Sequence, residues 1–307
     1  MKTEESYIEG LKKLLAPHQK IRSEQLQATK KVWGYAIIPL LIGLLAIPIY
    51  WQINPVMGWL FVLIALAIAY YILVYYAAEP QKVFEDYSLQ KIVPLFYKNY
   101  SIDCIFNSNK SILKTELNSV FPISEHFEFK TKYLLQNSAH HQQTFRVSEL
   151  CVLQQQQDTI EQVFEGLIID LTIPYQFEAD IFVVPKTRKL SFWYENTALK
   201  AIRIKEAAFF SKYSKKWHLF AKSEAVAAHL LRLPMLEQLH SKRHQNPSIR
   251  IVNQQLYILI PQLHLLTPDM LDNQWSQHKL QHIYQQIGLV FDWIQDFSHS
   301  IDTELEG

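Results

Sequence analysis

From Val32 to Ala78 the chain carries no Asp, Glu, Lys or Arg. A helix needs about 20 apolar residues to cross roughly 30 Å of hydrocarbon. The run has room for two such spans, Val32–Trp51 and Met57–Ala78, joined by Gln52-Ile-Asn-Pro-Val56. Pro55 and the amides of Gln52 and Asn54 suit a short, water-exposed connection. Two buried core helices are the alternative, but core helices rarely stay uncharged for so long. The spacing therefore predicts a transmembrane helical hairpin over 32–78.

The flanks agree with that reading. Trp33, Tyr35, Tyr50, Trp51 and Trp59 stand near the span ends, and Tyr70, Tyr71, Tyr75 and Tyr76 crowd the exit. Such rings favour the headgroup zone, where one end is apolar and the other wet. Lys30 and Lys31 precede the first span, Lys82 and Lys91 follow the second, and the connection has no cation. The positive-inside rule then puts both termini in the cytoplasm. The run starts too far from Met1 for a cleaved signal peptide, and the spans hold no ionisable group for an ion relay. Pro39 and Pro48 fall inside the first span, where membrane helices tolerate them.

Three segments follow: a cytosolic amphipathic N-terminal stretch over 1–31, the hairpin over 32–78, and a cytosolic domain over 79–307. In the first, Ile8, Leu11 and Leu15 share a helical face and Pro17 interrupts the pattern. This helix either lies on anionic lipid or packs on the soluble domain. In the domain, Val83–Tyr97 reads as a helix. Strands are expected at Phe145–Leu153, Gln162–Pro174, Ile181–Pro185, Leu190–Tyr194, Trp217–Phe220, Ile249–Val252 and Leu256–Ile260. Ser223 is placed to cap a helix running towards His240, with Pro234 bending or restarting it. The apolar series Leu280, Ile283, Ile287, Val290, Ile294, Phe297 and Ile301 marks a long final helix packed on the sheet. Successive strands joined by hairpins and closed by helices indicate an α+β fold with a mostly antiparallel sheet.

Composition removes several functions. A formal charge of +1 gives no global field for nucleic acid. The seven glycines form neither GxGxxG nor GxxxxGK[ST], so no nucleotide or other cofactor is expected. Cys104 and Cys151 read as free thiols rather than a disulfide or a zinc site. His278 and His282, like His240 and His244, have an i, i+4 spacing without a third ligand, so no metal is expected. Ser, His and Asp are present but no GxSxG elbow is, and no catalytic residue can be named. Asp170 and Asp180 read as solvated carboxylates flanking a turn.

One cluster points to binding. Between Lys186 and Lys222 lie ten cations, among them Lys186, Arg188, Lys189, Lys200, Arg203, Lys205, Lys212, Lys215 and Lys216, against only Glu195 and Glu206. Aromatics from Phe192 to Trp217 are interleaved. Beside an anionic leaflet each such cation contributes about 1 kcal/mol, so the stretch is expected to face lipid headgroups or an acidic partner. The competing reading makes the aromatics core and the cations a solvated rim, with the acidic tail from Asp292 to Glu306 neutralising them.

Four blocks carry a family resemblance: Val163-Phe-Glu-Gly-Leu-Ile168; Val184-Pro185; Phe220-Ala-Lys-Ser-Glu-Ala-Val-Ala-Ala-His-Leu-Leu231 through Pro234; and Asn253-Gln-Gln-Leu-Tyr-Ile-Leu-Ile-Pro261. In order and spacing, over roughly residues 80–300, the chain resembles an uncharacterised bacterial family known as domain-of-unknown-function family 3137. Where that family tends to carry paired acids and an arginine, this chain has Ser223-Glu224 and His229. The resemblance implies an N-terminal transmembrane hairpin with a soluble α+β domain, and no activity. The leading expectation is a bacterial inner-membrane protein held in the lipid bilayer by 32–78, whose cytosolic domain binds a protein partner or the anionic membrane face. A membrane-associated enzyme and a small-ligand sensor are the alternatives.

Overall fold

Among the described residues nine strands form one sheet in which every neighbouring pair is antiparallel, in the order β1-β2-β3-β4-β9-β8-β5-β7-β6. The strands are β1 Cys104–Asn107, β2 Phe127–Asn137, β3 Phe145–Gln156, β4 Thr159–Thr172, β5 Asp180–Pro185, β6 Ile202–Ile204, β7 Trp217–Ala221, β8 Ser248–Val252 and β9 Gln255–Pro261. The helices are α1 Glu4–Leu15, α2 His18–Trp51, α3 Pro55–Ile72, α4 Ala78–Tyr87, α5 Val93–Tyr100, α6 Lys114–Val120, α7 Glu224–Leu230, α8 Leu233–Ser241, α9 Pro268–Leu271 and α10 Gln277–Asp302. A π-helical turn, Ser88–Ile92, links α4 to α5. This computed structural model describes all residues except 1–2, 52–54, 73, 75, 77, 102, 121–126, 138–143, 157–158, 173–179, 187–201, 205–207, 222–223, 232, 253–254, 272–274 and 303–307.

The α+β expectation holds, with a large antiparallel sheet and a long C-terminal helix. The central strands are buried on both faces, which is why they read as near-continuous apolar runs. Leu167, Ile169 and Leu171 of β4 and Leu256, Ile258 and Ile260 of β9 join the core beneath the helices, with Leu280, Ile287 and Phe297 of α10. The alternate residues Phe164, Ile168, Tyr257 and Leu259 belong to a second core on the opposite face, where Ile112 and Leu117 pack. The final helix therefore buries its stripe in the domain.

Three strands escape a periodicity reading for identifiable reasons. In β2 the register slips between Lys132 and Leu135, and Tyr133 sits at φ 56°. This bulge shifts the phase of the alternation: Phe129 and Leu135, six positions apart, would share a face in a regular strand but lie in opposite cores. Edge strands β1 and β6 are only four and three residues long. The strand expected at Leu190–Tyr194 lies outside the described residues, as does Ser223. Pro234 sits at the second position of α8, so it restarts a helix rather than bending one.

The N-terminal stretch packs on the domain. Thr3 Oγ1 accepts from Ser6 N at 3.4 Å, Glu4 and Glu5 occupy the first turn and Lys12 and Lys13 the last, each sign matching the helix dipole. Tyr7, Ile8, Leu11 and Leu15 are buried where α1 meets α5 and α10. Asn99 Nδ2 donates to the Tyr7 carbonyl (2.7 Å) and Gln281 Nε2 to Glu4 Oε1 (2.8 Å). After the break at Pro17, α2 continues for 34 residues and packs along α3. Pro39 and Pro48 lie inside it. Among the described residues no helix is long and apolar enough to cross a membrane, and the side chains of 46–47, 49–55 and 57 lie outside the described set. The predicted membrane spans over 32–78 are therefore not established by the fold.

Gly166 shows how tightly the sheet is seamed. A Cβ there would lie 2.1 Å from the Ile260 carbonyl oxygen and 2.9 Å from Pro261 Cα, both backbone atoms that cannot swing aside. Gly166→Ala is expected to destabilise the protein by about 3 kcal/mol, an overpacking cost, lowering Tm by about 6–12 °C. Gly34→Ala, where a Cβ meets nothing within 4 Å, is expected to leave Tm within about 2 °C. Thermal unfolding of both variants checks the contrast.

Candidate functional site

The cationic stretch is divided by the fold. Of the expected binding residues, Lys186, Arg203, Lys212, Lys215 and Lys216 are exposed, while Arg188, Lys189, Lys200 and Lys205 lie outside the described residues. Arg203 faces Phe220 across the β6–β7 pair, on the side of the second core, and its Nη2 is 2.7 Å from His218 Nδ1. Lys212, Lys215 and Lys216 belong to the turns just before β7, whose aromatics turn inward under the helices. Phe210, Tyr213 and Trp217 are buried there. Among the described residues Phe210, Tyr213 and Trp217 are therefore core, with the lysines beside them exposed.

Those turns assemble something the one-dimensional reading missed. The α8 residue His240 brings its ring to 5.7 Å from Tyr213 and 6.2 Å from Trp217. Trp217 Nε1 donates to the Pro247 carbonyl at 3.2 Å. Lys212 Nζ lies 5.6 Å from the Tyr213 ring centre, and Arg243 Nη1 donates to the His240 carbonyl at 3.1 Å. Burial, then the charges of Arg243, Lys212 and Lys216, hold His240 below the ordinary imidazole value. Because the spacing of His240 and His244 first suggests a metal pair, His240 is easily dismissed once Lys242 and Arg243 are seen between them. Its real neighbours come from another segment. Among the described residues no group of three His, Cys, Asp or Glu side chains converges to hold a metal ion.

A second polar cluster corrects the expectation for Asp170. It is not a solvated turn residue: it sits inside β4, 2% exposed, on the side of the second core. Arg146, directly across on β3, donates Nε to Asp170 Oδ2 at 2.9 Å and Nη2 to the same oxygen. Arg146 Nη1 reaches both oxygens of Glu116 at 3.2 and 3.0 Å. With its amide oriented by hydrogen bonding, Gln255 donates to Asp170 Oδ1 at 2.6 Å. Burial pushes the Asp170 carboxyl up and the Arg146 guanidinium pulls it back, leaving a net rise. Register extends this row across the sheet through Tyr257 and Arg250 to Phe182, and the Arg250 guanidinium lies 3.8 Å from the Phe182 ring centre.

Both thiols are free, Cys104 buried and Cys151 half-buried. Burial, the dominant influence, pushes Cys104 up to about 12, so it stays a protonated thiol at neutral pH.

Removing Arg146 strands a buried carboxylate. Arg146→Ala is expected to cost about 3 kcal/mol, the lower end for a broken buried pair because Arg146 keeps some solvent contact. Asp170 then has a folded pKa raised further above its unfolded value, a stability contribution present at low pH and lost as pH rises. The deficit should thus shrink between pH 7.5 and about pH 5. Adding Asp170→Asn should restore part of the loss at pH 7.5. Chemical denaturation at both pH values measures each effect.

The fold and its polar clusters can now be set beside known proteins. No curated protein matches the chain. Among solved structures, the mycobacterial trehalose monomycolate transport factor A, TtfA, aligns over 59% of this chain and 84% of its own, with 8% identity and a TM-score of 0.32. The family described as "Protein of unknown function (DUF3137)" matches residues 162–299, the part that holds all four sequence blocks, the paired residues of the β4–β9 seam, the His240 cluster and Asp170, whereas the Asp170 partners Arg146 and Glu116 lie before it. The DUF3137 match thus supports that family assignment over residues 162–299.

Proposed function

We propose that the protein is anchored in a bilayer by the α2–α3 hairpin and that its α+β domain works at the cytosolic membrane face, binding that anionic surface or a protein partner there. One observation carries the reading: the hairpin is packed inside out. Its contact is made by small residues, with Ala36 and Gly43 of α2 and Gly58, Ala65 and Ala69 of α3 buried. A Cβ on Gly43 would come 2.6 Å from the Ala65 Cβ. The large apolar side chains point outward, with Ile42, Leu44, Leu45 and Leu63 all more than 60% exposed.

In water this arrangement is unfavourable. Each large apolar side chain left outside forgoes about 1–2 kcal/mol, and soluble proteins rarely expose contiguous apolar patches beyond a few hundred Å². In lipid no hydrophobic force draws helices together, so small residues that permit close backbone approach make the contact. Lys30, Lys31, Lys82 and Lys91 favour cytoplasmic termini. In a bacterial cell this corresponds to the inner membrane. Exposed Lys186, Lys212, Lys215 and Lys216 favour an anionic surface or acidic partner for the domain.

Alkaline carbonate extraction of cells expressing the full chain is expected to leave the protein in the membrane pellet. A maleimide that cannot cross the membrane should label Asn54→Cys from outside and leave Ser6→Cys unlabelled until the cells are opened. Recovery of the full chain in the carbonate supernatant would overturn the anchor; labelling of Ser6→Cys in intact cells would reverse the orientation.

A further inference from the structure

We propose that the cluster formed by Tyr213, His240, Lys212, Lys216 and Arg243 binds a phosphate group, carried by a lipid headgroup or free in solution. The floor of the cluster contains two orphaned polar atoms. Tyr213 is 1% exposed, and among the described residues neither its hydroxyl nor the enclosed Nδ1 of His240 has a hydrogen-bond partner. Native proteins pair the large majority of such buried groups, so two of them in side chains that touch each other call for a ligand. Trp217 forms a wall without competing for it, because its indole N–H is already satisfied by Pro247.

The rim supplies the charge. Lys212 lies over the Tyr213 ring, and Arg243 is tied to the His240 carbonyl. Lys216 is positioned by its backbone, its N–H donating to Tyr213 O at 3.0 Å while its carbonyl accepts from Lys186 N at 2.8 Å. Lys186, Lys212, Lys215, Lys216 and Arg243 form no ion pair with the described residues. The acids nearby leave this charge in place: Asp296 is taken by Lys242 at 2.8 Å, and Glu237, which faces Tyr213, is exposed.

The donor set selects the ligand class. Hydroxyl, imidazole, ammonium and guanidinium groups arrive from the turns before β7, from α8 and from the short 3₁₀ turn Arg243–Gln245. The several acceptor oxygens and the charge of a phosphate group use such a convergent set, through hydrogen bonds strengthened by charge. The local positive charge excludes a metal cation. The lipid form of this ligand rests on the proposed membrane reading, whereas binding of free phosphate stands without it.

The test titrates the full chain, in non-ionic detergent, with inorganic phosphate, dihexanoyl phosphatidate and dihexanoyl phosphatidylcholine by calorimetry. Saturable binding of phosphatidate or inorganic phosphate is expected, with none of the zwitterionic phosphatidylcholine. Tighter binding of phosphatidate than of inorganic phosphate identifies a lipid headgroup as the source; equal binding identifies the free anion. The triple variant Lys212→Ala/Lys216→Ala/Arg243→Ala should weaken binding about tenfold or more. Tyr213→Phe, which keeps the buried ring, should weaken it by about threefold. Two results overturn the site: no saturable binding of either phosphate up to about 10 mM, or an equal loss in Lys98→Ala/Lys110→Ala/Lys114→Ala, which removes the same charge elsewhere.

Discussion

Everything in the domain depends on the pairing of β4 with β9. Strands β1 to β4 follow one another as a meander, whereas β5 to β9 assemble among themselves, and β4–β9 is where the two sets meet. The pairs run from Gly166–Pro261 to Thr172–Gln255. At its start the backbones approach so closely that only glycine fits, and Gln262 N adds a bond to the Glu165 carbonyl at 2.9 Å. With the seam closed, Leu167 and Ile169 share one core with α10, and Ile168 and Leu259 share the other. Both faces of the sheet then exclude water around the apolar residues of its central strands, which stabilises them.

The same sheet gives the hairpin a firm base. Helix α1 is buried on α5 and α10, α2 leaves it after a short break, and α4 returns through the π turn into α5. At the point of entry His18 Nδ1 and the Tyr87 hydroxyl are 2.6 Å apart, joining the outgoing and returning helices. Movement at the hairpin is thus coupled through two helices to the core that holds α10.

Charge is distributed with similar economy. One polar row, Arg146–Asp170–Tyr257–Arg250, is laid across the second face, where each charged member is matched by a partner or a ring. On the helical side the cations at the turns before β7 stay outside while their aromatic neighbours fill the core. The result is a low net charge with strong local fields. Those fields, rather than the overall charge, decide which anions the surface can recognise.

Period-two and heptad patterns by themselves determined much of the fold: β3, β4, β5, β7, β8 and β9, the final helix, the break at Pro17 and the uncharged run over 32–78 were legible, because burial on a regular element imposes a regular spacing, whereas the three-residue β6 is too short to show one. The glycine of Val163-Phe-Glu-Gly was visible as a motif, but its reason, the backbone of Ile260 and Pro261, belongs to a strand far along the chain. Strand β2 was hidden because one left-handed residue, Tyr133, reverses the faces of its neighbours. Asp170 looked like a turn residue because its partner Arg146 is 24 positions away. His240 meets Tyr213 and Trp217 only when α8 folds over the end of β7. Spacing records local periodicity, whereas the convergence of distant side chains is decided by strand order and helix placement, which only the tertiary structure contains.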